Sequence, residues 1–294
     1  MVELILCCGL PASGKSTWAQ KRTEVDGYVW LSSDNIRANH DWNISNADVF
    51  TEMYKETIAN LKAGNNVIYD ATNLSAKRRK NLIDNVKRCN IKEIVMFTCE
   101  VFVAPISVLF ERNGARVNET CVPDEVIHRM MTQFQFPQYF EGWDHININS
   151  NSIGEDMHVY GLSGFDQKNP HHSLSLYDHL RVGAEYARKL GFGDLMATAM
   201  WYHDVGKLDT QTFDDQGIAH YYGHENVSAY KFALYQFQNK LYTKSEFLEI
   251  EFLINYHMRP HQWTQKAYEK DEQLFGTYYA HQLKLMHKCD LMAH

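Results

Sequence analysis

VELILCCGLPASGKS, residues 2–16, decides how the first half of the chain folds. VELILCCG is a continuous apolar run of strand length, and the glycine-rich turn after it opens a helix-like segment, STWAQKRTE. Within the turn, Gly9, Gly14, Lys15 and Ser16 fit the pattern G-x-x-x-x-G-K-[ST]. There the glycines let backbone N–H groups wrap phosphates, the lysine reaches the β and γ phosphates, and the hydroxyl ligates Mg2+. Lying between strand and helix, the turn puts its anion at a helix N-terminus.

The same alternation continues outward. YVWLSS precedes the helical stretch ADVFTEMYKETIANLKAG, NNVIYDATN precedes AKRRKNLIDNVKRCN, and EIVMFTCE follows. Strands alternating with helices predict an α/β domain with a parallel sheet and flanking crossover helices. After ISVLFERNGARVNETCVPDEVIHRMMTQF the pattern ends in FPQYFEGWDHI, and the stretch from ININSNS to FDQKNP is polar and dotted with glycine. A first domain over residues 1–150, a linker over 151–167 and a second domain over 168–294 are expected. From about residue 172 apolar residues recur at three- and four-residue spacing, which predicts an all-α domain.

Composition narrows the class. A chain of 294 residues suits two domains, and 45% hydrophobic with 22% charged residues is ordinary for a globular protein. The net charge of -7 argues against sequence-blind coating of nucleic acid, while leaving room for a local basic groove. Cys7, Cys8, Cys89, Cys99, Cys121 and Cys289 show no C-x-x-C spacing, as expected for reduced thiols in a cytoplasm. The longest apolar stretch, IVMFTCEVFVAPISVLF, is broken by Glu100 and Pro105, and Met1 leads into no basic flank or cleavage site, so no membrane or secretory route is expected. Of the 15 histidines, 12 follow residue 150, so the two halves are expected to do different chemistry.

Several residues in the first half can serve the phosphate turn. In LSSDNIR, Asp34 and Arg37 are spaced to meet on one helix face, where the carboxylate can accept a proton from an attacking hydroxyl and the guanidinium can grip an acceptor phosphate. The other reading of Asp34 is a helix N-cap. YDATN brings Asp70, Thr72 and Asn73 to a strand end, as ligand groups or as a strand-to-helix cap. Arg112 and Arg116, at i and i+4, can fold over one anion or form a solvated helix face. KRRK, residues 77–80, reads as a patch tracking a nucleic-acid backbone or as a solvated helix start.

GLPASGKST, SSDNIR, YDATN with Arg78 and Arg79, ERNGARVNETCVPDEVIHRM and EGWDHI occur in an order that resembles the P-loop polynucleotide 5'-kinase family. The resemblance covers roughly residues 1–150. It implies that Gly9, Ser13, Gly14, Lys15, Ser16 and Thr17 hold ATP or another NTP, with Mg2+ at Ser16. It further implies Asp34 as general base, Arg37, Asp70 and Asn73 as acceptor site, and Arg112 with Arg116 as a lid over the donor phosphates. Small-metabolite kinases share the turn, so the acceptor stays open.

WYHDVGK, residues 201–207, begins a second argument. His203 and Asp204 end an apolar helical stretch at Gly206, and His179, His224, His257 and Asp290 lie on other predicted helices. Mixed imidazole and carboxylate ligands suit Mn2+, Fe2+, Co2+, Ni2+ or Zn2+ without choosing among them. The order H, HD, H, H, D is similar to the HD phosphohydrolase superfamily over roughly residues 168–294. That likeness implies a main metal on His179, His203, Asp204 and Asp290, a second metal or substrate phosphate at His224 and His257, and a phosphate contact from Lys207. His171 and His172 can line the mouth; His220, His261, His281 and His287 read as structural or exposed.

A 5'-kinase and a phosphohydrolase work on opposite ends of a broken RNA or DNA strand, and together leave ends that a ligase can join. No D-x-D phosphatase signature is present, so any 3'-end work falls to the HD half. The alternatives are a small-nucleotide kinase joined to a nucleotidase, and a kinase regulated by a nucleotide-sensing HD module. Oligomeric state is not legible.

Overall fold

The structure is a computed structural model and describes residues 1–116, 118–150, 162–168 and 174–293. Two compact units emerge, one of Met1–Met130 with Pro137–Ile153, the other of Met131–Phe136 with Gly154–His294. The second unit thus takes in Met131–Phe136, which a linear division at residue 150 assigns to the first.

In the first unit the elements run β1 (Val2–Gly9), α1 (Lys15–Asp26), β2 (Val29–Ser32), α2 (Ser33–Asn39), α3 (Asn46–Lys62) and β3 (Val67–Asp70). They continue with α4 (Ala76–Lys87), β4 (Val95–Val103), α5 (Ile106–Gly114), α6 (Asp124–Met131) and β5 (His145–Ser150). The five strands form one sheet in the order β2-β3-β1-β4-β5, every pair parallel. β1 is central and buried along nearly its whole length, which accounts for its unbroken apolar sequence. β5 was not expected. In HININS only Ile146 is buried, so this edge strand lacks the apolar run that reveals the others.

The KRRK run divides in the folded protein. Arg79 is 1% exposed and forms a two-pronged pair with Glu141, Nε to Oε2 and Nη2 to Oε1, both 2.7 Å. Its Nη1 also donates to the carbonyls of Asn73 and Leu74, at 2.8 and 2.9 Å. Arg79 therefore pins α4 to the short turn Tyr139–Glu141 and cannot face a nucleic acid, whereas Lys77 and Arg78 are exposed.

The second unit comprises α7 (Leu176–Lys189), α8 (Asp194–Tyr202), α9 (Lys207–Thr210), α10 (His224–Asn239), α11 (Lys244–Tyr256), α12 (Gln265–Phe275) and α13 (Thr277–Met292). It is not wholly helical, because β6 (Thr212–Phe213) and β7 (Ala219–His220) form a small antiparallel hairpin. Tyr230 and Phe232 lie in its aromatic core, with Phe134 edge-on to Tyr230 at 5.1 Å. Asn255 locks Met131–Phe136 in place: its Oδ1 accepts from the Phe136 N–H at 2.7 Å. Among the described residues no helix is long and apolar enough to cross a membrane.

Removing one partner of a buried ion pair leaves the other charge uncompensated, at a cost of about 3–5 kcal/mol. Arg79→Met is therefore expected to lower the urea midpoint of the first unit's unfolding by that equivalent, and an unchanged midpoint would show that the pair does not secure α4.

Candidate functional site

A cleft of about 310 Å3 in the first unit is lined by Lys15, Ser16, Asp34, Arg37, Asp70, Thr72 and Arg116, with Trp42, Phe50 and Met130 among its apolar walls. The phosphate turn leaves β1 at Gly9. Gly14, at φ 98°, supplies the left-handed backbone that starts α1, and no side chain caps that helix, so its first N–H groups stay available to an anion. Lys15 curls over the turn, its Nζ donating to the Leu10 carbonyl at 2.7 Å and reaching Ser13 Oγ at 3.4 Å. Burial lowers the Lys15 pKa, and the nearby Asp70 carboxylate offsets part of that shift. Burial raises Asp70 in turn, against the opposing influence of Lys15, Ser16 and Trp30. Trp30 Nε1 donates to Asp70 Oδ2 at 3.1 Å.

Ser32, not Asp34, caps α2, accepting from the N–H groups of Asp34 and Asn35. The Asp34 carboxylate is thereby left to the cleft, with its side chain 47% exposed and Oδ1 paired to Arg37 Nη1 at 3.1 Å. Arg37 Nη2 donates to Asn46 Oδ1 at 2.9 Å. Asp41 and Trp42 are successive left-handed residues, φ 48° and 59°, that carry the Trp42 ring to the cleft wall. A sparsely populated backbone here, bought by no glycine, marks a position fixed by more than local preference.

Three expected residues sit elsewhere. Arg112 and Arg116 do not share a helix face, because α5 ends at Gly114; Arg116 lines the cleft and donates to the Thr120 carbonyl at 3.1 Å, while Arg112 is exposed away from it. The Asn73 side chain is turned to the backbone, donating to the Cys7 carbonyl at 2.7 Å. Thr17 is exposed outside the cleft lining.

In the second unit His179, His203, Asp204, His224, His257 and Asp290 converge, all buried. Asp204 sits at the centre. Its Oδ2 lies 3.3 and 3.4 Å from Nε2 of His179 and His203, and its Oδ1 lies 3.0 and 3.4 Å from Nε2 of His224 and His257. Asp290 Oδ1 completes the first group, 3.2 Å from His179 and 3.4 Å from His203.

Each imidazole places Nδ1 on a backbone carbonyl: His179 on Ala293 at 3.0 Å, His203 on Met200 at 2.7 Å, His224 on Tyr221 at 2.7 Å and His257 on Ile254 at 2.8 Å. A carbonyl only accepts, so Nδ1 carries the proton and Nε2 presents a lone pair inward. The Nε2 atoms of His179 and His203 nevertheless lie 3.2 Å apart, as do those of His224 and His257. Lone pairs meet at this distance only around a proton or a cation. Asp204 Oδ1 is buried with no hydrogen-bond partner among the described residues, a further sign that the donor set fits a metal.

The same contacts set the electrostatics of the cluster. Burial opposes charge on Asp204, yet His203 and Lys207 hold its carboxyl well below the usual range. Burial opposes charge on Asp290 as well, but His179, His203 and His261 outweigh it and lower its pKa. At His179 burial is outweighed by the Asp204 and Asp290 carboxylates, which push the pKa up to about 9; burial instead lowers His257 to about 4. Lys207 Nζ is 2.6 Å from Asp204 Oδ2 and donates to Gln167 at 2.9 Å, so its charge is directed at the central carboxylate. Gly206 is required by close approach, since a Cβ there would meet the His224 carbonyl at 2.3 Å. His171 and His172 lie outside the described residues. His220 pairs with Asp214 and His281 is exposed, but His261 contacts Asp290 Oδ2 at 3.1 Å, which its isolated position in sequence does not reveal.

Residues 4–137 match the AAA domain family and residues 171–290 match the HD domain family. No curated protein matches the sequence. Among solved structures, a kinase candidate from Chloroflexus aurantiacus J-10-fl is 17% identical, with 51% of this chain and 89% of that one covered and a TM-score of 0.42. A gluconokinase from Sinorhizobium meliloti 1021 is 18% identical, covering 50% and 82% at a TM-score of 0.35. A fungal RNA kinase is 12% identical, covering 82% and 99% at a TM-score of 0.38. The two matches place a P-loop kinase-like domain before an HD domain, in the same order as the two sites.

Proposed function

We propose that the chain heals broken nucleic-acid strands, phosphorylating 5'-hydroxyl ends from ATP or another NTP and removing 3'-, 2'- or 2',3'-cyclic phosphates from the opposite ends. The observation that carries this reading is the company kept in the first cleft, where Lys15 and Ser16 share the lining with Asp34, Arg37 and the rings of Trp42 and Phe50. A phosphate donor, a proton acceptor and flat apolar walls suit an acceptor hydroxyl attached to a nucleobase-bearing strand end.

In the kinase step the 5'-oxygen bonds to the γ-phosphorus as the bond to the β,γ-bridging oxygen breaks, and the hydroxyl proton passes to Asp34. Arg37 holds the acceptor's phosphate, while Lys15 and Arg116 offset charge on the donor and Asp70 with Ser16 shapes the wall. The products, a 5'-phosphate and a free 3'-hydroxyl, are the ends a downstream ligase consumes.

In the second site His179, His203, Asp204 and Asp290 would hold one divalent cation, and Asp204, His224 and His257 another. Mn2+, Fe2+, Co2+, Ni2+ or Zn2+ bound there supplies Lewis acidity to a phosphate oxygen and acidifies water. Asp204 keeps the two positions together through its separate oxygens, Lys207 keeps Asp204 ionised, and the four carbonyl-bound Nδ1 protons keep every Nε2 aimed inward.

A short RNA with 5'-hydroxyl and 2',3'-cyclic phosphate ends tests both halves. Asp34→Asn is expected to slow 5'-phosphorylation by about 10²–10⁴-fold, the usual worth of a positioned base, while sparing the 3' end. Asp204→Asn is expected to abolish processing of the 3' end and spare the kinase. Equal or better turnover of free nucleosides and nucleotides would replace strand healing with small-nucleotide metabolism.

The raised His179 pKa also fixes a pH trend. Below about 9 this imidazole holds a proton that a cation must displace, so affinity for the first position rises with pH, and levels off above it. Calorimetric titration of the metal-stripped protein should show proton release between pH 7 and 9, diminishing toward the upper end; a pH-independent affinity across that range would contradict the assigned ligand.

A further inference from the structure

We propose that His261, His287 and Asp290 form a third divalent-cation position beside the paired HD centre, with Asp290 shared between them. One ligand atom from each of these residues lies within 4.8 Å of the other two. His287 and Asp290 stand three residues apart on α13 and so share a face, while His261 comes from the short turn Pro260–Gln262.

Asp290 is used on both sides. Its Oδ1 faces His179 and His203, whereas its Oδ2 lies 3.1 Å from His261 Nε2. This repeats the arrangement at Asp204, where each carboxylate oxygen belongs to a different set of imidazoles. The rings of His261 and His287 meet edge to face with centroids 4.4 Å apart, close enough for both to serve one ion. His287 Nδ1 is buried and has no hydrogen-bond partner among the described residues, an unmet demand that a cation would satisfy.

Two imidazoles and one carboxylate match the donor set of zinc sites that keep a fourth coordination position open. The side chain of His261 is 32% exposed, so a cation can reach this cluster from solvent, whereas His179, His203, Asp204, His224 and His257 are buried. The inference goes beyond the strand-healing reading and does not depend on the identity of the substrate.

The full chain, stripped with chelator and reloaded with Co2+ without nucleotide, tests it by elemental mass spectrometry and cobalt absorption. Wild type is expected to retain three equivalents and both His287→Ala and His261→Ala two, with the absorption of the inner pair preserved. Stoichiometry unchanged from wild type in both variants would overturn the third position. A wild-type count of two that falls to one in both variants upholds the third position and removes one inner metal, so the two assignments fail separately. The turn residue His261 is largely outside the core, which keeps the test valid if His287→Ala folds poorly.

Discussion

The second centre depends on one repeated interaction, the hydrogen bond from an imidazole Nδ1 to a backbone carbonyl. His203 and His257 follow directly on α8 and α11, and each bonds the carbonyl three residues back, Met200 and Ile254. Carbonyls in the last turn of a helix have no partner within the helix, so a histidine at that point satisfies the helix end. The same bond fixes its tautomer and points the Nε2 lone pair into the cluster. His224 does the equivalent at the start of α10, using Tyr221, and His179 reaches across to Ala293 after α13. Two helix C-termini directed at the cluster also favour positive charge there. A donor set fit for a cation thus depends on how helices end as much as on which residues are present.

Burial governs the first site by a different balance. Lys15 and Asp70 are both nearly inaccessible, and desolvation weakens the ionised form of each while the partner restores part of it. A polyphosphate at the uncapped start of α1 offers Lys15 a stronger counter-charge than Asp70 does, and the Leu10 carbonyl that now receives its ammonium is a weaker partner than a phosphate oxygen. The ground state is therefore arranged for exchange of partners.

What was legible in sequence was local. The strand-turn-helix unit around Gly14 and Lys15 and the helix periodicities are read from neighbours along the chain, as is the order of the histidines and aspartates that converge in the second unit. What was missed required contacts between distant residues or knowledge of where a helix stops. Arg79 looks like one member of a basic run until Glu141, 62 positions later, is placed against it. Arg112 and Arg116 have the right spacing for a shared face, but α5 ends between them at Gly114. β5 hides because Ile146 and Ile148 alternate with polar residues at a sheet edge. His287 carried a usable signal, its i,i+3 relation to Asp290, whereas His261 joins them only through the turn after α11. Trp42 reaches the cleft through two left-handed residues that no spacing rule anticipates.

Exposure sorts the aspartates by what each can do. A metal ligand has to stay ionised throughout, and Asp204 meets that demand by being 2% exposed among imidazoles and the Lys207 ammonium, where protonation is strongly disfavoured. A general base must take up a proton and then lose it, which calls for contact with water and for few competing cations. Asp34 has its side chain 47% exposed and one guanidinium beside it, so it suits the proton-transfer role proposed for it. Asp70 is buried like Asp204 but lacks its circle of cations, and its pKa moves upward instead. Opposite shifts at equal burial show that the neighbouring charges, and not depth alone, decide whether a carboxylate is fit for holding a cation.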